Sequence, residues 1–391
     1  MYELPHGDPQ AMFLTDIALA LFFAVAVGAI AARFGISRIV GYIIAGILVG
    51  PFTPGVVVRT ETVENLAELG LIFLLFSLGL SFSFKEIRAA GMISTAGNIV
   101  VMALLGAASA VAARLAHLPH PYIVGLATVL SSTAIGVTLL RDWGVERTRA
   151  AQLAVGLLVV QDLVAVVLLV IVATPPDRLS PAGIVWPIGK ALVFIAVALA
   201  VGARVLHWFV TRSFANTPSE ALFGAFAAVA LISGFLAYVV GLPYEFGAFM
   251  AGAVISEGAG SERVAHAVMP FRALFVSLFF VAIGMAVNPV VVFEHWPIVL
   301  GLGIALFLVR ALLWTALGGV AGLGAGAALL FGVALIPLGE FNIVLANTAF
   351  AASSMNGDER SILVGIAFFS IIGTTLCAPL FRHLCAATRS R

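Results

Sequence analysis

Long apolar runs separated by short polar breaks dominate the chain. A helix needs about 20 mostly apolar residues to cross about 30 Å of hydrocarbon. Lipid offers the backbone no hydrogen-bond partners, so such runs are predicted to be helices; barrel strands would be shorter and would alternate. The sequence therefore predicts an all-α polytopic membrane protein with about 13 transmembrane helices, near residues 12–32, 38–57, 63–82, 89–114, 121–140, 148–173, 184–208, 219–239, 243–257, 268–287, 296–318, 325–352 and 358–386.

The composition narrows the class of protein further. Of the 391 residues, 62% are hydrophobic and only 10% are charged, where about 25% charged residues is usual for a soluble domain. This excludes a soluble enzyme, a nucleic-acid binder and a disordered tail. The 20 Lys and Arg against 19 Asp and Glu give no basic excess for nucleic acid. The two cysteines have no metal-ligand spacing, and we expect no cofactor.

The distribution of basic residues predicts the orientation. With the N-terminus outside, about 14 of the 20 Lys and Arg fall in inside loops, about five in outside loops and one, Arg310, within a span. An odd number of crossings is needed to keep this bias. We therefore expect the N-terminus outside and the C-terminus in the cytoplasm, in the cytoplasmic (inner) membrane. The first run has no basic n-region, so we interpret it as a retained span, not a signal peptide.

Three weak sequence matches recur at one offset. GYIIAG at 41–46 is similar to GAFMAG at 247–252, an offset of 206, and Gly79 aligns with Gly284 at an offset of 205. SSTAIG at 131–136 falls opposite IPLGEF at 336–341, again at 205. Two six-helix repeats joined by one linker helix give thirteen helices, and the linker makes the second repeat inverted, as in many secondary transporters. The alternative is chance recurrence of small-residue packing motifs.

One acidic residue lies in the middle of a predicted span. Gln161-Asp162 interrupts AVGLLVVQDLVAVVLLVIV, and a charge at the bilayer centre costs at least about 2.5–3.5 kcal/mol on insertion scales. A carboxylate in apolar surroundings can be neutralised by a proton or by a bound cation. We therefore interpret Asp162 as a site that exchanges a proton for a monovalent metal cation; the alternative is a structural carboxylate paired with a neighbouring helix.

Two further charges are predicted near mid-membrane. Arg310 lies in LGIALFLVRALLWTALGG and Glu340 lies in ALIPLGEFNIVLAN. An arginine stays charged when it is buried, so it needs a partner. Structural pairing of Arg310 with Glu340 is at least as good an interpretation as a direct role in transport, and pairing with Asp162 is also open.

Two apolar runs contain polar or helix-breaking residues at matching repeat positions. Proline and glycine weaken the helix, and serine or threonine can take up the freed backbone groups. We expect two broken helices to meet near the midplane, where unwound carbonyls could coordinate an ion. Ser131, Ser132, Thr133 and Gly136 mark the first, and Pro337, Gly339 and Glu340 mark the second. Asn98, Asn342 and Asn347 could line the same cavity, but packing or interhelical hydrogen bonding is the preferred interpretation of each.

Together these segments resemble the monovalent cation:proton antiporter-2 family, in particular its glutathione-gated potassium-efflux branch. The matching stretches include GYIIAGILVGP, ELGLIFLLFSLGL, LSSTAIGVTLL, LLVVQDLVAV, GAFMAGAVIS, PFRALFVSLFFVAIGM and GEFNIVLANTAF, in the same order. The resemblance implies a sodium/proton antiporter-like fold and a homodimer that moves its core like an elevator. It implies dimerisation helices in 1–88 and 219–295, core helices in 89–173 and 296–391, and a linker helix in 174–218.

The resemblance also implies residue roles. Asp162 matches the family's ion- and proton-binding aspartate, and Gln161 matches the position that is glutamine in the potassium branch. Arg310 stands where the family usually has lysine, so proton release from this position is not expected. Members of that branch often carry a cytoplasmic nucleotide-binding regulatory domain. The chain to Arg391 does not include one, so regulation by glutathione adducts is not carried over.

These observations predict a secondary active transporter in the lipid bilayer that exchanges a monovalent cation for protons by alternating access. Asp162 would bind either ion, with Gln161, Ser131, Ser132 and Thr133 completing the cation's oxygen shell. One titrating carboxylate favours one-for-one exchange, and the Gln-Asp pair favours K⁺ over Na⁺. Two alternatives stay open from the sequence: a gated channel with the same fold, and an ion-sensing membrane module that transports nothing.

Overall fold

A computed structural model describes residues 9–34, 38–53, 60–80, 91–145, 147–173, 181–198, 200, 219–256 and 261–389. The described residues form sixteen helices. They are α1 (Pro9–Arg33), α2 (Arg38–Val49), α3 (Thr60–Leu80), α4 (Met92–Leu115), α5 (Pro121–Ala127), α6 (Thr133–Asp142), α7 (Arg149–Val172), α8 (Pro181–Val197), α9 (Ser219–Val239), α10 (Tyr244–Ser256), α11 (Ser261–Ala286), α12 (Pro289–Glu294), α13 (Trp296–Val320), α14 (Ala325–Ala334), α15 (Glu340–Ala351) and α16 (Gly357–Arg389).

The helices follow the predicted runs. Eleven of the thirteen runs contain one helix each, and the runs 121–140 and 325–352 each contain two, α5 and α6 and then α14 and α15. The six-residue helix α12 lies between two runs. Part of the run predicted at 184–208 lies outside the described residues. Seven helices in the described part are long and apolar enough to cross a membrane: α1, α4, α7, α9, α11, α13 and α16. The predicted all-α membrane architecture is therefore confirmed.

The chain divides into two compact units. Unit 1 comprises residues 1–82 and 186–289, and unit 2 comprises residues 83–185 and 290–391. Each unit thus takes one segment from each half of the chain, and one boundary falls within α8. In unit 1, α2 and α3 pack against α10 and α11. Unit 2 contains the pair α5 and α6 and the pair α14 and α15.

Two close helix crossings in unit 1 depend on glycine. A Cβ added to Gly46 of α2 would collide with the carbonyl oxygen of Val281 and lie 2.9 Å from the Cα atom of Gly284 in α11. A Cβ added to Gly79 of α3 would likewise collide with the Phe249 carbonyl oxygen and lie 3.0 Å from the Cα atom of Gly252 in α10. At both crossings the backbones touch, which only glycine permits.

The two crossings are related through the sequence repeat. Gly46 and Gly252 correspond at an offset of 206, and Gly79 and Gly284 correspond at an offset of 205. A two-fold rotation that exchanges the repeats would carry the Gly46–Gly284 contact onto the Gly252–Gly79 contact. The reciprocal pairing is what two inverted repeats packed around a common axis produce.

Substitution at one of these crossings is expected to destabilise the fold. The Gly79→Ala side chain would meet backbone atoms of α10, which cannot rotate away, so we expect a loss of about 1–3 kcal/mol. The measurement is the thermal midpoint of the detergent-solubilised protein. Gly224→Ala in α9 is the matched control, because nothing lies within 4 Å of the Cβ that it adds. Equal midpoints for the two variants would contradict the close crossing.

Side-chain contacts in unit 2 join two pairs of helix ends that are distant in sequence. Glu359, which is 1% exposed, accepts from the backbone N–H of His120 at 2.7 Å and contacts His120 Nδ1 at 2.7 Å. The starts of α5 and α16 therefore lie at one end of the unit. Arg149 at the start of α7 donates to the Ala321 carbonyl oxygen at 3.4 Å, which brings that helix start to the turn between α13 and α14. Both contacts agree with the predicted sequence of crossings.

Candidate functional site

The interrupted helices of unit 2 contact each other where they break. Residues 128–132 separate α5 from α6, and residues 335–339 separate α14 from α15. The backbone N–H of Ser132 donates to the Pro337 carbonyl oxygen at 2.7 Å, and the Ser131 hydroxyl donates to the Leu335 carbonyl oxygen at 2.7 Å. Unwound backbone has no helical partners, so each segment supplies the donors or acceptors that the other lacks.

Small residues allow this close contact. A Cβ added to Gly339 would lie 2.6 Å from the Cβ of Ser132, and one added to Gly136 would lie 2.6 Å from the Ala334 carbonyl oxygen. Ser132 also caps α6, because its hydroxyl oxygen accepts from the backbone N–H of Ile135 at 3.3 Å. The residues singled out in SSTAIG and PLGEF thus surround one junction of four helix ends.

Arg310 of α13 donates hydrogen bonds to the backbone carbonyl groups of the junction. Its side chain is 1% exposed. Within the described residues, all of its hydrogen bonds go to the two interruptions. The acceptors are the carbonyl oxygens of Ile336 (2.6 Å, from Nε), Thr128 (2.8 Å, from Nη1), Leu130 (3.0 Å, from Nη2) and Leu335 (3.0 Å, from Nη2), and the hydroxyl of Ser131 (2.7 Å, from Nη2).

The position of the charge follows from helix electrostatics. α5 and α14 both end at these carbonyls, and a helix C-terminus carries a partial negative charge. The guanidinium places its positive charge between two such ends and satisfies their unpaired oxygens. Of the partners left open by the sequence, Asp162 is not among the described contacts of Arg310. The side chain of Glu340, the first residue of α15, lies outside the described part of the structure.

Asp162 contacts the start of α6 at the junction. It sits in the middle of α7 and is 9% exposed. Both carboxylate oxygens lie 3.1 Å from the hydroxyl of Thr133, the first residue of α6. A helix N-terminus carries a partial positive charge and stabilises a nearby anion. The sequence placed Asp162 and Thr133 at one site, and the structure brings them together.

Gln161 is tied into the same junction through a different contact. Its Oε1 accepts from the backbone N–H of Ser131 at 2.7 Å, and its Nε2 donates to Oδ1 of Asn98 on α4 at 3.0 Å. Gln161 and Asn98 are both fully buried. The sequence favoured packing or interhelical hydrogen bonding for Asn98, and the structure identifies Gln161 as its partner. The one sequence signal was an isolated amide in an apolar run.

The other two asparagines have different surroundings. Asn342 of α15 donates from Nδ2 to the Leu130 carbonyl oxygen at 3.2 Å, so it belongs to the junction. Asn347 accepts from Arg360 at 3.5 Å, one turn further along α15 and towards the start of α16. The junction therefore gathers Asn98 and Asn342 but not Asn347.

The junction has the chemistry to hold a proton or a small cation. It offers a nearly buried carboxylate beside a hydroxyl oxygen and a helix N-terminus, and oxygen ligands of this kind suit hydrated alkali cations. A proton neutralises the same carboxylate. Groups of three or more His, Cys, Asp or Glu that could bind a metal ion do not occur within the described ranges.

Comparison with known proteins identifies the family. The profile of the family described as "Sodium/hydrogen exchanger, transmembrane" matches residues 17–382. The chain belongs to the sodium/hydrogen exchanger family. It is 32% identical over 394 residues to YbaL of Escherichia coli (strain K12), which carries the provisional name cation/proton antiporter. That alignment covers 97% of this chain and 70% of YbaL.

A solved structure supports the fold. The sodium proton antiporter MjNhaP1 from Methanocaldococcus jannaschii, in its structure at pH 8, is similar with a TM-score of 0.71. The match covers 96% of this chain and 98% of MjNhaP1 at 15% sequence identity, so it concerns the fold alone. The family match makes the protein a multi-pass membrane exchanger and not an enzyme, and MjNhaP1 supports the fold.

Proposed function

We propose that this antiporter exchanges one monovalent cation, preferably K⁺, for one proton, and that Asp162 is the shared binding site. The observation that carries the proposal is the placement of the Asp162 carboxylate. It is 9% exposed in the middle of a membrane helix, with the Thr133 hydroxyl 3.1 Å from both oxygens. A negative charge inside a membrane helix is costly, so a proton and a cation compete to neutralise this carboxylate.

Competition for one carboxylate explains coupled exchange. If the site is protonated it cannot hold the cation, and if it holds the cation it has released the proton. Alternating exposure of such a site to the two sides of the membrane moves the two ions in opposite directions. Gln161, next in the chain, is a neutral amide that is already hydrogen-bonded to Ser131 and Asn98. Asp162 is the one carboxylate among the described side chains of the junction, which supports a one-for-one, electroneutral cycle.

Arg310 has a separate role in this proposal. Its guanidinium is occupied by the ends of α5 and α14, so it stabilises the broken helices and takes no part in proton transfer. Ser131 and Ser132 are likewise engaged with the opposite interruption. The hydroxyl of Thr133 contacts Asp162 directly, and we expect its oxygen in the cation shell.

The membrane arrangement is also part of the proposal. Unit 2 would be the transporting core and unit 1 the dimerisation domain of a homodimer, which is supported by the division of the chain into two units. The N-terminus would face outward and the C-terminus the cytoplasm, in the inner membrane, as the distribution of basic residues suggests. A cytoplasmic nucleotide-binding domain, as in the potassium-efflux branch, is a candidate regulatory partner.

The choice of ion is directly measurable. We expect KCl to collapse a preformed pH gradient in proteoliposomes at lower concentration than NaCl, with a pH-sensitive dye as the readout and choline chloride as control. The physical reason is the neutral Gln161 beside Asp162, which leaves a site of low charge that suits a large, weakly hydrated cation. A lower half-maximal concentration for NaCl would contradict the K⁺ preference. Dependence of the rate on an imposed membrane potential, without ion gradients, would contradict one-for-one exchange.

A further inference from the structure

We infer that Asn98 is a positioning residue of the ion site, which acts through Gln161 to fix the backbone of Ser131 between α5 and α6. This inference rests on the proposed function, because it concerns the residues that place Thr133 beside Asp162. Asn98 lies on α4, outside both broken helices, and therefore reaches the site only through other residues.

The amide chain from Asn98 to Ser131 has a fixed direction. A backbone N–H can only donate, so the 2.7 Å contact at Ser131 requires the oxygen of the Gln161 amide. The Gln161 nitrogen must then face Asn98, whose oxygen accepts at 3.0 Å. Rotating the Gln161 amide by half a turn would set its NH₂ group against the Ser131 N–H. The oxygen of Asn98 therefore accepts from the Gln161 nitrogen and holds the amide in the orientation that the Ser131 N–H requires.

Ser131 is the point at which this orientation matters. It is 2% exposed and lies outside any helix, so without Gln161 its N–H would be a buried donor lacking a partner. The next residue, Ser132, caps α6, and the residue after that, Thr133, contacts Asp162. A shift of Ser131 is thus passed along two peptide units to the hydroxyl beside the carboxylate.

The buried amide of Asn98 is not explained by packing alone. Its Nδ2 is buried and has no hydrogen-bond partner among the residues that the structure describes. An apolar side chain of the same size would fill this position without leaving a donor unpaired. The orientation of Gln161 is what the amide contributes and what an apolar residue would lose.

The test compares Asn98→Leu with Ser109→Ala. Ser109 is also on α4 and 1% exposed, and its hydroxyl has no partner within the described residues, so it is a matched control. We expect Asn98→Leu to raise the half-maximal cation concentration about three- to tenfold, the range that one hydrogen bond contributes. Its thermal midpoint should also fall, because the buried N–H of Ser131 is left without its partner whenever the Gln161 amide turns. Ser109→Ala should alter neither quantity.

Hydrogen exchange reports directly on the backbone N–H of Ser131. Hydrogen exchange measured by mass spectrometry on a peptide spanning residues 128–133 should be faster in Asn98→Leu and unchanged in Ser109→Ala. The inference would be overturned if Asn98→Leu showed the hydrogen-exchange rate of the wild type in this segment, or its half-maximal cation concentration. An unchanged effect of Asn98→Leu in the Gln161→Met background would also overturn it, because a residue acting through Gln161 has no further effect once Gln161 is lost.

The outcome can be separated from that of the proposed function. Asp162→Asn is measured in the same liposome assay. If it retains cation-driven exchange, the proposed site is wrong, whereas the hydrogen-exchange comparison still decides whether Asn98 fixes Ser131. If it loses exchange while Asn98→Leu behaves like the wild type, only the positioning role is wrong.

Discussion

Replacement of Asp162 by asparagine is expected to reduce cation-driven proton movement to the level of liposomes without protein. The amide keeps the size of the side chain and can accept from Thr133, but it neither binds a proton at ordinary pH nor carries the charge that attracts a cation. Both halves of the exchange cycle depend on that charge. The measurement is dye dequenching in proteoliposomes with saturating KCl and, separately, NaCl.

Two controls make the Asp162 result specific. Asp358→Asn removes an exposed carboxylate from the first turn of α16 in the same unit and should leave exchange unchanged. The thermal midpoint of Asp162→Asn should equal or exceed that of the wild type, because the change removes a nearly buried charge. Residual exchange above one tenth of the wild-type rate would mean that another group carries the proton.

Replacement of Arg310 by methionine is expected to have the largest effect on stability, a loss of more than about 3 kcal/mol. The change removes the donor of five hydrogen bonds and leaves buried carbonyl oxygens at the ends of α5 and α14 unpaired. It also removes the positive charge between two negative helix ends. The measurement is the thermal midpoint and the monodispersity of the purified protein.

Arg310→Lys separates the charge from the geometry. Lysine keeps the positive charge but has three donors on one nitrogen, so it can satisfy only part of the five contacts. We expect an intermediate midpoint and retained exchange, since the carboxylate at position 162 is untouched. Arg149→Ala is the control for loss of an arginine, because that side chain makes one exposed contact at 3.4 Å. A midpoint for Arg310→Met equal to that of Arg149→Ala would contradict the structural role.

Much of the fold could be predicted from the sequence because the membrane imposes it. Hydrocarbon leaves helices as the solution for a long apolar run, so the thirteen runs predicted the helices and their approximate ends. The interruptions at SSTAIG and PLGEF could be predicted because serine, proline and glycine stand where the pattern requires apolar helix formers. The matching offsets of Gly46 with Gly252 and of Gly79 with Gly284 predicted the repeat before the crossings could be seen.

The partners of the buried polar groups could not be predicted in the same way. The sequence offered Glu340 and Asp162 as partners for Arg310, since it shows charges and hides backbone acceptors. Among the described residues the guanidinium donates to four carbonyl oxygens and one hydroxyl, which are available only where helices stop. The Glu340 side chain lies outside the described part, so that pairing stays a prediction. Likewise, Asn98 and Gln161 are 63 positions apart, and no local pattern joins them.

The sequence by itself determined that the chain lies in a membrane as helices, where these helices break, and which carboxylate is stranded among apolar residues. These properties follow from local composition, because the cost of exposing polar groups to lipid is paid residue by residue. Only the tertiary structure decided which broken end faces which side chain. It sets Arg310 against the carbonyl ends and Asp162 against the amide end of α6, because helix dipoles and hydrogen bonds depend on distances between segments that the order of residues does not contain.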